Sequence, residues 1–305
     1  MLQSYDAEYA AWQQAPEAWW LARVAAIDWD TAPKVAFDAT MGAYGRWFPD
    51  GRLNTCHNAV DRHVAAGRGD QPAIIYDSAM TGAKLAVTYA ELQDRTARLA
   101  GALAARGIRA GDRVIVYMPM VPEALVAMLA CARLGAIHSV VFGGFAAAEL
   151  AARIDDATPK ALIFASCGLE PGRTVAYKPL VDAALALASH KPEFCVLLQR
   201  PEYPVASESG RDIDFAEAET TGAPHPCVPV AATDPLYVLY TSGTTGKPKG
   251  IVRDNGGHAV ALMNSMAMVY GVSAGDVFWA ASDVGWVVGH SYICYGPLLA
   301  GCTTL

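Results

Sequence analysis

Short unbroken apolar runs and longer stretches at helical spacing alternate through most of the chain, and the alternation becomes regular from Gln71 onward. Ala73–Asp77 and Lys84–Val87 flank a Thr81-Gly82 turn and read as a hairpin. Thr88 with Glu91 three residues later forms a capping box, which predicts a helix to Arg106 that stops at Gly107. Strands are then expected at 113–118, 137–142, 161–165 and 194–199, and helices at 122–134, 147–156 and 177–190. The strands carry little polar alternation, as in a sheet covered by helices on both faces. The fold class is therefore α/β, with mostly parallel sheets flanked by helices.

The first 70 residues follow another pattern. Ser4 caps a helix running to Gln14, and Pro16 opens a second at 17–27. Residues 33–68 mix Gly, Asp, Asn and aromatics and read as irregular structure packed by its rings. Residues 1–70 are thus an amino-terminal arm and 71–305 the main unit. Residues 200–233 form a surface connection with one short helix at 215–219.

Composition narrows the function classes. The 305 residues are 53% hydrophobic and 17% charged, which excludes a disordered chain. A net charge of −7 and the lack of any Lys/Arg run exclude nucleic acid as a main partner. No apolar stretch is long enough to span a bilayer: Val114–Phe142 is broken by Pro119, Pro122, Glu123, Arg133 and His138. The first residues carry Asp6 and Glu8 ahead of any cation, so a cytoplasmic location is expected. The seven cysteines contain no CxxC pair and no zinc spacing with histidine, so no structural metal is expected.

The chemistry concentrates where the apolar run Leu236–Tyr240 meets Thr241, Ser242, Gly243, Thr244, Thr245, Gly246, Lys247, Pro248, Lys249 and Gly250. The glycines permit close backbone approach and the hydroxyls donate without adding charge. Lys247 and Lys249 supply cations, so the loop has the makeup of a polyphosphate cradle. It is no Walker A loop, because Thr241 stands where the first glycine is needed and Pro248 follows Lys247. The dinucleotide fingerprint and the serine-hydrolase elbow fail by spacing as well.

Tyr240–Gly250 resembles the phosphate-loop signature of the AMP-forming acyl-CoA synthetases. Ser282–Tyr292, Val141–Phe145, Trp47–Gly51 with Leu53-Asn54, and Asp61-Arg62-His63 resemble the short-chain branch that contains acetyl-CoA and propionyl-CoA synthetases. The likeness extends over essentially the whole chain. It implies a ligase in which a carboxylate attacks the α-phosphate of ATP and coenzyme A then displaces AMP. ATP with magnesium, coenzyme A and a small carboxylic acid are the implied partners.

The resemblance also carries residue roles. Thr241 to Lys247 and Lys249 hold the ATP phosphates; Phe142, Gly143 and Gly144 line the coenzyme A site. Arg173 remains of a pair of arginines for the coenzyme A phosphate, since Glu170 stands at the other position. Trp286, Val287 and Val288 match the acyl pocket, where Val288 replaces a threonine usual in acetate enzymes. That loss of a hydroxyl favours propionate, with acetate the alternative. None of these residues carries a catalytic role. The family's later elements, including the small carboxy-terminal domain, have no counterpart here, so the resemblance implies an inactive amino-terminal piece. A noncatalytic nucleotide- or coenzyme A-binding protein, and an ATPase or kinase with an unusual loop, remain open alternatives. The oligomeric state is not legible in the sequence.

Overall fold

The computed structural model describes residues 4–241 and 249–305. A seven-stranded sheet orders its strands Asp212–Asp214, Phe194–Leu198, Ala161–Ala165, Arg113–Tyr117, Ile137–Val140, Pro235–Thr241 and Lys249–Asp254. All neighbours are parallel except the last pair. Helix Pro122–Leu134, which Gly135 (φ 70°) terminates, is buried at every position except Glu123, as a helix apolar on all sides must be. A smaller sheet joins Val277–Phe278, Thr303–Thr304, Pro72–Asp77 and Lys84–Thr88. The expected α/β class and mostly parallel main sheet are thus present.

Local signals set several boundaries. The Ser4 Oγ accepts from the Ala7 N–H, starting helix Tyr5–Gln14. Thr88 and Glu91 form the reciprocal cap of helix Tyr89–Ala105. Among the described residues, no helix is long and apolar enough to cross a membrane.

Residues 33–68 are not irregular throughout, contrary to the expectation. Wide helical turns cover His57–Asp61 and Val64–Arg68. Their polar residues obscured the pattern by lying inside: Asn54 is buried, and its amide donates to the carbonyls of Ala132, Arg133 and Val228 at 3.0, 3.1 and 2.8 Å. The amino-terminal segment packs into the rest of the molecule. Leu53 pairs with Val230, and the Arg23 guanidinium donates to Asn264 at 2.9 Å on helix Gly256–Met268.

Candidate active site

Parallel strands place the ends of Ile137–Val140 and Pro235–Thr241 at one edge of the main sheet, with Tyr237 beside His138. Open α/β sheets bind ligands beyond the carboxyl ends of their strands. Thr241 ends the second strand and pairs with Lys249, which begins the returning strand. Sequence reading placed both in one loop; instead they form the neck of a hairpin. Ser242, Gly243, Thr244, Thr245, Gly246 and Lys247 lie outside the described residues. At the neck, the Tyr240 hydroxyl donates to Asp156 at 2.5 Å.

The turn after Val140 is built by close approach. Gly143 is buried, and a Cβ there would meet the Tyr177 hydroxyl at 2.2 Å. A Cβ on Gly168, in hairpin Cys167–Glu170/Arg173–Ala176, would meet the same hydroxyl at 2.1 Å. The Tyr117 hydroxyl donates to the Phe145 carbonyl at 2.8 Å and holds the turn from below. Gly144 is exposed beside the Phe142 ring. Arg173 is mostly exposed, and its guanidinium is paired with Glu170 at 2.6 Å, so its charge is balanced locally.

Segment Ser282–Tyr292 folds against this turn. A Cβ on Gly285 would stand 2.9 Å from the Phe142 Cα, so only glycine allows the approach. The Trp286 ring lies 5.7 Å from Phe142 and 6.5 Å from Phe145. The Asp283 carboxylate accepts from the Gly285 N–H at 2.7 Å, and burial raises its pKa. The His290 backbone N–H donates to the Trp286 carbonyl at 3.0 Å, and its ring Nδ1 lies 2.9 Å from the same oxygen. That contact assigns the proton to Nδ1.

The acyl-pocket triple is divided. Trp286 joins Phe142 and Phe145, whereas Val287 and Val288 line a separate cavity of about 480 Å³. Its other walls include Val252, Leu262 and, unexpectedly, Trp47 from the amino-terminal segment. Arg253, Asp254, His258, Ser291 and Tyr292 provide polar groups. Burial raises the Asp254 pKa and lowers that of His258 to about 3, so the imidazole is neutral at physiological pH. The lining mixes apolar and polar groups, and its volume lies in the range of small-molecule sites.

Sequence reading missed Tyr177, the anvil for both glycine segments, and Trp47. The chain offers no local sign of either contact, because the partners are remote in sequence; the Trp47-Phe48-Pro49-Asp50-Gly51 run was the nearest signal. It also missed a cluster of Cys56, Cys227 and Asp61, whose ligand atoms lie within 4.8 Å of one another. Arg133 donates to both Asp61 oxygens at 2.8 and 3.0 Å, so a guanidinium already occupies the cation position.

A sequence model of the family described as AMP-binding enzyme matches residues 61–305, and one described as Acetyl-coenzyme A synthetase N-terminus matches residues 5–59. The human mitochondrial protein named acyl-CoA synthetase short-chain family member 3 is 50% identical over 302 residues, covering 99% of this chain and 44% of its own length. The propionate–CoA ligase of Escherichia coli is 47% identical over 292 residues, covering 95% and 46%. The solved structure of acetoacetyl-CoA synthetase from Streptomyces lividans superposes with a TM-score of 0.90 at 27% identity, covering 99% and 46%. The chain thus spans less than half the length of each of these relatives.

Proposed function

The chain belongs to the AMP-binding enzyme family, and from that premise we propose that it acts in an AMP-forming acid–thiol ligase reaction on a short carboxylic acid, MgATP and coenzyme A. In the first step a carboxylate oxygen attacks the α-phosphorus and pyrophosphate departs. The thiol sulfur of coenzyme A then attacks the acyl carbon, and AMP leaves. Charge grows on the departing pyrophosphate, and the hydroxyls, N–H groups and lysines between Thr241 and Lys249 are the groups suited to stabilise it. Phe142, Gly143 and Gly144 serve the coenzyme A nucleotide, with Arg173 at its phosphate. Val287 and Val288 serve the acyl chain.

The observation that carries this reading is the contact of Trp286 with Phe142 and Phe145. It makes the acyl segment and the coenzyme A turn neighbours, as transfer between an acyl-adenylate and a thiol demands. Val288 offers no hydroxyl to the cavity, which favours propionate over acetate. A cytoplasmic location belongs to the same reading.

Acid-dependent exchange of pyrophosphate into ATP, with direct binding of MgATP and coenzyme A, tests the proposal. Binding of both nucleotides, with any exchange stimulated more by propionate than by acetate, is the expected result; little exchange agrees with the inactive-piece expectation, and robust exchange overturns it. Nucleotide binding that no acid influences marks a noncatalytic binding protein instead. Release of ADP without an acid marks an ATPase and overturns the ligase reading.

A further inference from the structure

We propose that Trp47 is the wall that sets how long an acyl chain the Val287–Val288 cavity accepts. The inference rests on the reading of that cavity as the acyl site.

Trp47 comes from the amino-terminal segment, yet it faces the cavity from a rigid frame. Its strand Arg46–Trp47 pairs with Phe37–Asp38, and its ring lies 4.8 Å from Phe37 and 5.7 Å from Trp20. Gly45 precedes the strand at φ 66°, and a Cβ there would stand 2.2 Å from the Phe37 ring. Phe48 follows at φ 51°, a left-handed conformation that a bulky aromatic adopts only where its surroundings enforce it. That reversal lets Phe48 enter the core while its neighbour Trp47 turns to the cavity. On the far side stands Gly257, where a Cβ would lie 3.2 Å from the Trp47 Cβ and 2.9 Å from the Asp254 carboxylate. The indole is therefore locked in place. Removing it opens space that close-packed neighbours do not refill.

The same cavity is lined by the apolar Val287 and Val288. Each methylene accommodated or excluded by an apolar pocket is worth about 10- to 200-fold in discrimination. Trimming Trp47 thus admits longer acids, and enlarging Val288 in the same lining excludes them.

The test uses the series acetate, propionate, butyrate, hexanoate and octanoate with MgATP. Acid-dependent pyrophosphate exchange and saturation-transfer NMR of the acids are measured on the parent chain and on Trp47→Ala, Trp47→Phe and Val288→Phe. Thermal melts establish that each variant is folded. The expected result is a rise of about tenfold or more in the hexanoate-to-propionate ratio for Trp47→Ala. Trp47→Phe moves the same way by less, and Val288→Phe moves oppositely. If Trp47→Ala fails to fold, the ratio in Trp47→Phe decides. Folded Trp47 variants with the parent's ratio, alongside a changed ratio in Val288→Phe, overturn the role of Trp47 and leave the acyl site standing. An unchanged ratio in all three variants, or no acid signal in the parent by either measurement, overturns the acyl-site reading and this inference with it.

Discussion

The Tyr177 hydroxyl occupies the place where a side chain on Gly143 would begin, with only 2.2 Å between that oxygen and a Cβ built on the glycine. The ring is buried and also packs at a tilt against Tyr117, with centroids 4.8 Å apart, so it has no room to withdraw. Gly143→Ala is therefore expected to destabilise the protein by about 1–3 kcal/mol, the usual cost of overpacking. Tyr177→Ala should relieve much of that clash. A double-mutant cycle by urea denaturation checks it, and strict additivity of the two losses would remove the proposed contact. Coenzyme A binding should weaken in Gly143→Ala and recover partly in the double variant.

The Glu170–Arg173 pair governs a second prediction. Both groups are well exposed, so the pair contributes little to stability, typically below about 1 kcal/mol. Its effect should appear in binding instead. Glu170→Gln frees the guanidinium and removes a negative charge beside the proposed contact with the coenzyme A phosphate. Affinity for coenzyme A is expected to rise a few-fold at low salt, about 1 kcal/mol or less, and the gain should shrink as salt screens it. Calorimetric titration at two salt concentrations measures both effects. Desphospho-coenzyme A, lacking the 3′-phosphate, should show no gain.

Much of the fold was legible because its signals are local. The capping box at Thr88 and Glu91, the stop at Gly107 and the apolar strands from Arg113 to Leu198 depend on neighbours within a turn or two. The turns at 57–68 escaped because buried Asn54 and Asn58 satisfy their amides on remote backbone, so polarity in the sequence did not mean exposure. Hairpin Cys167–Ala176 escaped because its two strands are only four residues each, too short to show a period. The site divides in the same way. Its phosphate loop and glycine turn were visible as contiguous motifs, whereas Trp47 reaches Gly257 across more than two hundred residues, a relationship that no local pattern records.

Lys249 tests the phosphate-loop assignment from the described side of the hairpin. It is exposed at the neck opposite Thr241, and no acidic partner is paired with it among the described residues. Lys249→Ala is expected to lower MgATP affinity about tenfold, as loss of one charged hydrogen bond does. Adenosine binding should be unchanged. Fluorescence titration with both ligands separates a phosphate contact from general damage, because equal losses for the two would place Lys249 away from the phosphates.

Four buried imidazoles, His63, His138, His258 and His290, make stability depend on pH, because burial lowers the pKa of each. Burial lowers the pKa of His290 to about 4 and that of His258 to about 3, from 6.5 in each case; Arg253 adds to the second shift. A base whose folded pKa is depressed stays neutral in the folded state while the unfolded chain takes up protons. Stability is therefore complete above pH 6.5 and falls as pH drops toward 4, at up to about 1.4 kcal/mol per pH unit for each histidine. Urea denaturation at about pH 7.5, 6.5, 5.5 and 4.5, evenly spaced across this window, should show the decline. His290→Gln should lose stability at neutral pH and have a shallower slope. Parallel curves for parent and variant would show that His290 is not one of the titrating groups.

Asp61 and Arg133 supply the sharpest stability test, because they are a largely buried pair with side-chain exposures of 14% and 7%. The pair is embedded: Gln93 donates to Asp61 at 2.8 Å, and the Arg133 guanidinium also donates to the His225 carbonyl at 2.6 Å. It thereby joins helix Tyr89–Ala105, helix Pro122–Leu134, the amino-terminal segment and the connection before Val230. Asp61→Asn leaves the guanidinium buried without its counter-charge, which typically costs about 3–5 kcal/mol. Arg133→Met leaves the carboxylate exposed to the same penalty, with only Gln93 and the Cys227 thiol left to donate to it. The double variant Asp61→Asn/Arg133→Met removes both charges and is expected to recover part of the loss. Denaturant melts of the four proteins measure the coupling, and a double variant no more stable than the sum of the single losses predicts would show that the two charges do not depend on each other.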